Sequence, residues 1–342
     1  MSGKEILDEL NQIMQQKNNN VVNNNADIIN SKDAVEQLLQ NRELNKELCQ
    51  PTLFEKLDNH LNGGLMPGLY IIGALPSIGK TTLTLQIASN LCKGGSNVLF
   101  CNFEMSAEEL TAKRISRATY EICKRENHDT MYAKIENSII MGRYLNAEDN
   151  KYRKIEEDIL NKAKEMVSNE NGLYIAWKEP PINQISIDDI KNIVVEFINK
   201  RNSKKTALII DYLQIIKPKS EYMSERANVD IIVSTLKRIS SIYKIPVIAI
   251  SSLNRQNYSS EVNLTSFKES GGIEFGSDVL FGMQFNGQGD KGFNLAEEMN
   301  REPRQIEIRI LKNRKGGGVY KSIIFDYYPR FNYFEEIFEL EN

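Results

Sequence analysis

Residues 73–81 read Gly-Ala-Leu-Pro-Ser-Ile-Gly-Lys-Thr, with an apolar run, "LYII", leading in and a helix-like pattern, "TTLTLQIA", leading out. This is the G-x-x-x-x-G-K-[ST] spacing in the strand-to-helix setting that it requires. The chemistry it points to is phosphate binding. Gly73 and Gly79 are expected to turn the backbone so that successive N–H groups converge on phosphate oxygens, backed by the positive end of the following helix. Lys80 would meet the β- and γ-phosphates. Thr81 would offer its hydroxyl to Mg²⁺, a hard cation that takes oxygen ligands. Ser77 and Thr82 complete the expected nucleotide contacts, which makes ATP with Mg²⁺ the expected cofactor pair. The competing explanation is a chance glycine-rich turn, against which the flanking strand and helix argue.

Phosphoryl transfer also calls on carboxylates. "ALIIDYLQ" ends an apolar strand in Asp211, where an acid would hold the metal together with the loop hydroxyl. "VLFCNFEMS" ends another in Glu104, placed to orient the water that attacks the γ-phosphate. Either acid alone would as readily cap a helix or sit in a solvated turn. A phosphate loop in the same sheet is what gives both a role.

The elements that must position these residues begin at Pro51. Strands are predicted in "LYIIGA", "NVLFCNFE", "GLYIAW", "TALIIDYL" and "IPVIAIS", with later ones in "IEIRILKN" and "KSIIFDYY". Helices are predicted over 80–93, 106–123, the polar region 130–168, 186–201 and 228–243. This alternation specifies an α/β fold, a mostly parallel sheet with helices on both faces. Polar residues that close apolar strands then fall on the carboxyl edge, where open α/β folds bind ligands.

Residues 1–49 read differently from residues 50–342. "QQKNNNVVNNNAD" is too polar to bury a core and reads as a flexible link. Around it, "GKEILDELNQIM" and "SKDAVEQLLQNRELNKEL" carry apolar residues at helical spacing, the second behind a Ser31 cap. A short amphipathic helix with no domain of its own either decorates the surface or docks on a partner.

Composition removes several function classes. The net charge of −3, from 43 basic and 46 acidic residues, announces no polyanion partner, so any nucleic-acid contact must come from a local patch. Cys49, Cys92, Cys101 and Cys123 lack CxxC spacing and there are only 2 histidines, which argues against a disulfide framework or a zinc site. Cys101, in an apolar strand, reads as a core residue. No apolar stretch approaches the ~18 residues of a membrane span, and the N-terminus has no apolar signal core, so a cytoplasmic location is expected.

"TLFEKLDNHLNGGLMPGLYIIGALPSIGKTT", "FEMSAEELTAKRI", "ALIIDYLQII", "IPVIAISSLNRQ", "SFKESGGIEFGSD" and "ILKNRKGGGVYKSIIFD" occur in the order and spacing of one family. Over about residues 50–335 the chain resembles the motor domain of DnaB-type replicative DNA helicases. The resemblance implies a RecA-like P-loop fold, a homo-oligomeric ring of six, and ATP-driven movement along single-stranded DNA. It also implies roles for further residues. Lys312 and Arg314 match a basic pair projected into the neighbouring subunit's nucleotide, and their spacing in a strand would put both on one face. By themselves they would read as a solvated basic edge strand. Lys268, Glu269 and Gly271 match positions that touch the DNA backbone, contacts that position a strand without reading its sequence; without the family, "SFKESGG" is an ordinary flexible loop.

The chain departs from the family pattern in three places. Ser252 stands where the family has a glutamine that senses the γ-phosphate. Phe275 and Gly276 replace polar residues. The short N-terminal segment implies that the family's helical collar, which meets primase, is absent or supplied by another protein, and a primase or a helicase loader is the implied partner. Two other readings stay open: a RecA/RadA-like recombinase ATPase, and a non-motor protein that uses ATP as a switch to bind or load a helicase.

Overall fold

The computed structural model describes residues 29–143, 150–177, 185–201, 203, 205–217, 223–254, 260–267, 270–319 and 321–338. Residues up to Lys46 and residues from Glu47 onward form two compact units. In the first, helix α1 (Ser31–Gln40) is capped by Asn30 rather than by Ser31, the Asn30 side chain accepting the Asp33 N–H at 3.0 Å. Asparagine and serine cap equally well, and the chain enters the helix one residue earlier than expected. Val35, Leu38 and Leu39 of α1 are exposed. The helix expected in "GKEILDELNQIM" and the asparagine-rich link lie outside the described residues.

The second unit holds a nine-stranded sheet in the order β3-β2-β4-β5-β1-β6-β7-β8-β9. Its strands are β1 (Gly68–Ala74), β2 (Asn97–Asn102), β3 (Leu173–Ala176), β4 (Thr206–Asp211), β5 (Pro246–Ser252), β6 (Val279–Phe285), β7 (Arg304–Asn313), β8 (Ser322–Tyr328) and β9 (Tyr333–Glu336). From β3 to β6 all neighbours run parallel, whereas β6 to β9 form an antiparallel meander. Strand β1 is buried along its whole length, as a parallel strand covered on both faces must be. Leu69, Ile71, Phe100, Ile209 and Val247 are buried in one core.

The main helices of this unit are α2 (Lys80–Lys93), α3 (Ala107–Arg125), α4 (Asn150–Ser168), α5 (Ile187–Arg201), α6 (Glu225–Tyr243) and α7 (Ser270–Gly276). A capping box between Ser106 and Glu109 starts α3. The polar region 130–168 is broken into a 3₁₀ turn, a short helix and α4 rather than forming one helix.

The sequence patterns do not predict strands β6 and β9. In "VLFGMQF" the central Gly282 weakens the strand signal. It is there for space, because a Cβ on Gly282 would lie 2.6 Å from Val262 Cγ1. Gly73 also differs from expectation. It lies inside β1, paired with Ser251 and Gly282, and is not where the chain turns. Its missing side chain makes room for the buried ring of Phe267, whose Cε1 would be 2.2 Å from an added Cβ. Overpacking of this kind costs roughly 1–3 kcal/mol. Gly73→Ala should therefore lower the urea midpoint by about that amount in free energy; an unchanged midpoint would show that Phe267 moves aside freely.

Candidate active site

The phosphate loop leaves β1 at the carboxyl edge of the sheet, and its turns fall at Ser77 (φ 63°) and Gly79 (φ 95°). Glycine enters the left-handed region without strain, whereas serine there is held at a cost. A Cβ on Gly79 would lie 2.8 Å from Phe334 Cζ and 2.9 Å from Tyr327 Cε1, so only glycine fits this cradle. Helix α2 starts at the next residue, and the N–H groups of its first turn have no intrahelical partner. Thr82 is buried, with its hydroxyl directed to Asn332 Oδ1 at 3.5 Å.

Thr81 and Asp211 come together as expected. The Thr81 hydroxyl donates to Asp211 Oδ2 at 2.6 Å. Asp211 is 1% exposed, and burial pushes its carboxyl up to about 6 against the opposing pull of that hydroxyl. Lys80 stands nearby, with its ammonium 6.0 Å from the centre of the Tyr212 ring. Burial lowers its pKa, and the Asp211 and Glu104 carboxylates draw it back up. A desolvated carboxylate beside a hydroxyl is a pair of hard oxygen donors that fits Mg²⁺ carried in with a phosphate, and the lysine at hand would meet that phosphate.

Glu104 lies exposed just beyond β2. Its anchor is Asn102, which sequence reasoning passed over. Asn102 is fully buried, donates from Nδ2 to Asp211 Oδ2 at 3.1 Å, and accepts the Glu104 N–H on Oδ1 at 2.9 Å. One carboxamide therefore ties both acids together. The available signal was a polar residue closing the apolar run "VLFCN". Gln214 was also missed. It donates to Ser251 Oγ at 2.9 Å and accepts the Ser252 N–H at 3.2 Å, so a carboxamide stands at this strand end even though Ser252 lacks one.

Lys312 and Arg314 lie at the opposite edge of the sheet. Arg314 N–H donates to Asp278 O, and Asp278 N–H donates to Leu69 O, at the start of β1. Strand β7 ends at Asn313, so strand alternation does not extend to Arg314. Arg314 is exposed. Lys312 is half-buried, its ammonium donating to the carbonyls of Glu274 and Ser277 at the end of α7. Burial, and then the charge of Arg314, lower its pKa. Lys268 and Glu269 lie outside the described residues. Gly271 faces the Arg226 guanidinium, which would be 3.1 Å from an added Cβ, and Phe275 is 73% exposed.

Because the Asp211 pKa is raised above the ordinary aspartate value of about 3.9, its ionised form costs stability. That cost is absent below about pH 4, grows as the pH rises to about 6, and then stays at roughly 2–3 kcal/mol. Asp211→Asn should therefore be more stable than the parent at pH 7.5 without nucleotide, and the two should converge near pH 4. Urea unfolding at both pH values checks this, and an Asp211→Asn protein that is less stable at pH 7.5 would contradict it.

Residues 50–336 match the family model described as "DnaB-like helicase C terminal domain". Among curated relatives, the chain is 28% identical over 340 residues to a replicative DNA helicase DnaB of Geobacillus stearothermophilus, covering 94% of this chain and 65% of that protein. It is 27% identical over 327 residues to a probable replicative DNA helicase of Trieres chinensis, covering 92% and 64%. The chain thus spans less than two thirds of the length of these relatives. A solved ATPase domain superposes with a TM-score of 0.73 at 22% identity, covering 91% of this chain and 100% of that one. A DnaB-like replicative helicase studied with primase superposes with a TM-score of 0.71 at 21% identity, covering 97% and 74%. A RecA-like ATPase fold, the phosphate loop and the paired acids therefore agree with the family match: the chain belongs to the DnaB-like helicase C-terminal domain family.

Proposed function

We propose that this chain is the ATP-hydrolysing motor of a homo-oligomeric ring, a hexamer, that moves along single-stranded DNA and parts the duplex during replication. One observation carries the ring. The phosphate loop leaves β1 at Ala74, whereas Arg314 sits level with Leu69, five residues back along the strand. At ~3.3 Å per residue this is about 16 Å, on the far side of the sheet from its own nucleotide. An exposed arginine at that edge has no substrate in its own chain, and a neighbouring copy supplies one.

Within a subunit the roles divide by charge. Lys80 and the loop amides meet charge already present on the bound phosphates. Glu104, fixed by Asn102, orients the attacking water and accepts its proton. Mg²⁺, held by Thr81 and Asp211, would neutralise charge on the phosphate oxygens. Arg314 of the adjacent subunit, with Lys312 holding the strand end behind it, stabilises the charge that spreads over the γ-phosphoryl oxygens in the transition state. Lys268, Glu269 and Gly271 contact the DNA backbone, and α1 docks its exposed apolar face on the next subunit. A primase or a loader completes the assembly.

Two experiments test this reading. Lys80→Ala should lose nucleotide binding, whereas Glu104→Gln should bind ATP and turn it over at least ~10²-fold more slowly, the scale of a general base. Wild-type turnover by Glu104→Gln would remove that residue from the catalytic set. In a mixing experiment, Arg314→Ala and Glu104→Gln proteins should each be nearly inactive, because an arginine supplied in this way is worth ~10³ to 10⁵ in rate. Mixed rings should recover hydrolysis at interfaces that join an intact Glu104 to an intact Arg314. Demonstrably mixed rings that stay inactive would place both residues in one chain's site.

A further inference from the structure

A phosphate cradle works only if its amide N–H groups point inward, and that orientation needs something to hold it. In a trans peptide the C=O and the following N–H point in opposite directions, so fixing the carbonyl outward fixes the next amide inward. At the crest of this loop the Ser77 carbonyl accepts a hydrogen bond from Arg304 Nη1 at 3.2 Å. The contact spans 227 residues of sequence, and it grips a residue whose φ of 63° is unfavourable for serine. Arg304 opens β7 opposite Tyr327 of β8, and Tyr327 stacks on Phe334 at 4.2 Å, the two rings that wall in Gly79. Its Nε is buried and has no hydrogen-bond partner among the described residues.

We propose that Arg304 is a positioning residue for nucleotide binding in its own subunit: by holding the Ser77 carbonyl outward it presets the Ile78 amide toward the phosphates, and its charge adds attraction for the polyphosphate. This rests on the nucleotide-binding reading of the loop. It assigns Arg304 to a different task from Arg314. Arg304 acts on ground-state binding within one chain, Arg314 on the transition state across an interface. The effect belongs to the diphosphate portion of the ligand, so ADP and ATP should feel it alike.

The test is titration of a fluorescent ADP with Mg²⁺ into the full chain, its Arg304→Met variant and its Arg304→Lys variant. Loss of one charge-assisted hydrogen bond predicts roughly tenfold weaker binding for Arg304→Met. Arg304→Lys keeps a cation within reach of the carbonyl and should recover part of it. In turnover assays KM for ATP should rise about tenfold with kcat within about twofold, the pattern of lost uniform binding. The nucleotide-free stability should fall by less than the binding free energy does. Equal ADP affinity in Arg304→Met, an unimproved Arg304→Lys, or a fall in kcat at constant KM would overturn the assignment. So would weak binding matched by an equal loss of nucleotide-free stability, which would mean a merely structural arginine. Failure of the parent chain itself to bind the probe would instead overturn the nucleotide reading, and this inference with it.

Discussion

A buried carboxylate that cannot be satisfied by water is the constraint on which the site depends. Asp211 ends β4 beneath the surface, and its Oδ2 is shared between the Thr81 hydroxyl and the Asn102 carboxamide. Neither donor carries a full charge, so the desolvated acid remains short of compensation, as its raised pKa records. That deficit suits a metal site. A carboxylate already neutralised by an arginine would have little to offer a cation, whereas one held by neutral donors keeps its affinity. The same contacts set the geometry, because Asn102 pairs in register with Asp211 and passes the alignment on to Glu104 through its other amide atom. The stability lost to a buried charge would be the counterpart of the metal-binding role proposed for Asp211, a familiar conflict at functional sites.

A second constraint is the reversal of strand direction past β6. The parallel half places every strand end used by the site on one edge. The antiparallel meander then sends β7 back across the sheet, so that its 10 residues, about 33 Å in length, begin beside the phosphate loop and end at the far edge. Arg304 opens that strand and Arg314 follows its end. One strand thereby delivers two cations to two places that a single nucleotide cannot bridge. The ammonium of Lys312, seated on the carbonyls that close α7, ties this strand end to the helix that begins at Ser270.

Much of this was legible in the residues because the signals are local. The spacing from Gly73 to Thr81, the apolar runs that end in Glu104 and Asp211, and the alternation of strands and helices each depend on neighbours within a few residues. Helix α2 and strands β1, β4 and β5 accordingly fall within one or two residues of where the sequence places them. Strand β6 was hidden by Gly282, which is there because Val262, some twenty residues away in sequence, needs the space. Gly73 reads as a turn residue and is in fact a gap for Phe267, a partner that no spacing rule identifies.

The sequence by itself therefore determined the phosphate loop, the two acids and the α/β class, since phosphate binding and strand termination are written in short, contiguous patterns. Tertiary structure decided which further residues join the site. Asn102, Gln214 and Arg304 become meaningful only once strands far apart in sequence lie side by side, because a carboxamide or guanidinium takes its role from the group it meets. It also placed Arg314 one residue past the end of β7, so the strand alternation on which the shared-face expectation stood does not reach it. Local chemistry can be read along the chain, whereas hydrogen-bond partners and the two edges of a sheet exist only after it has folded.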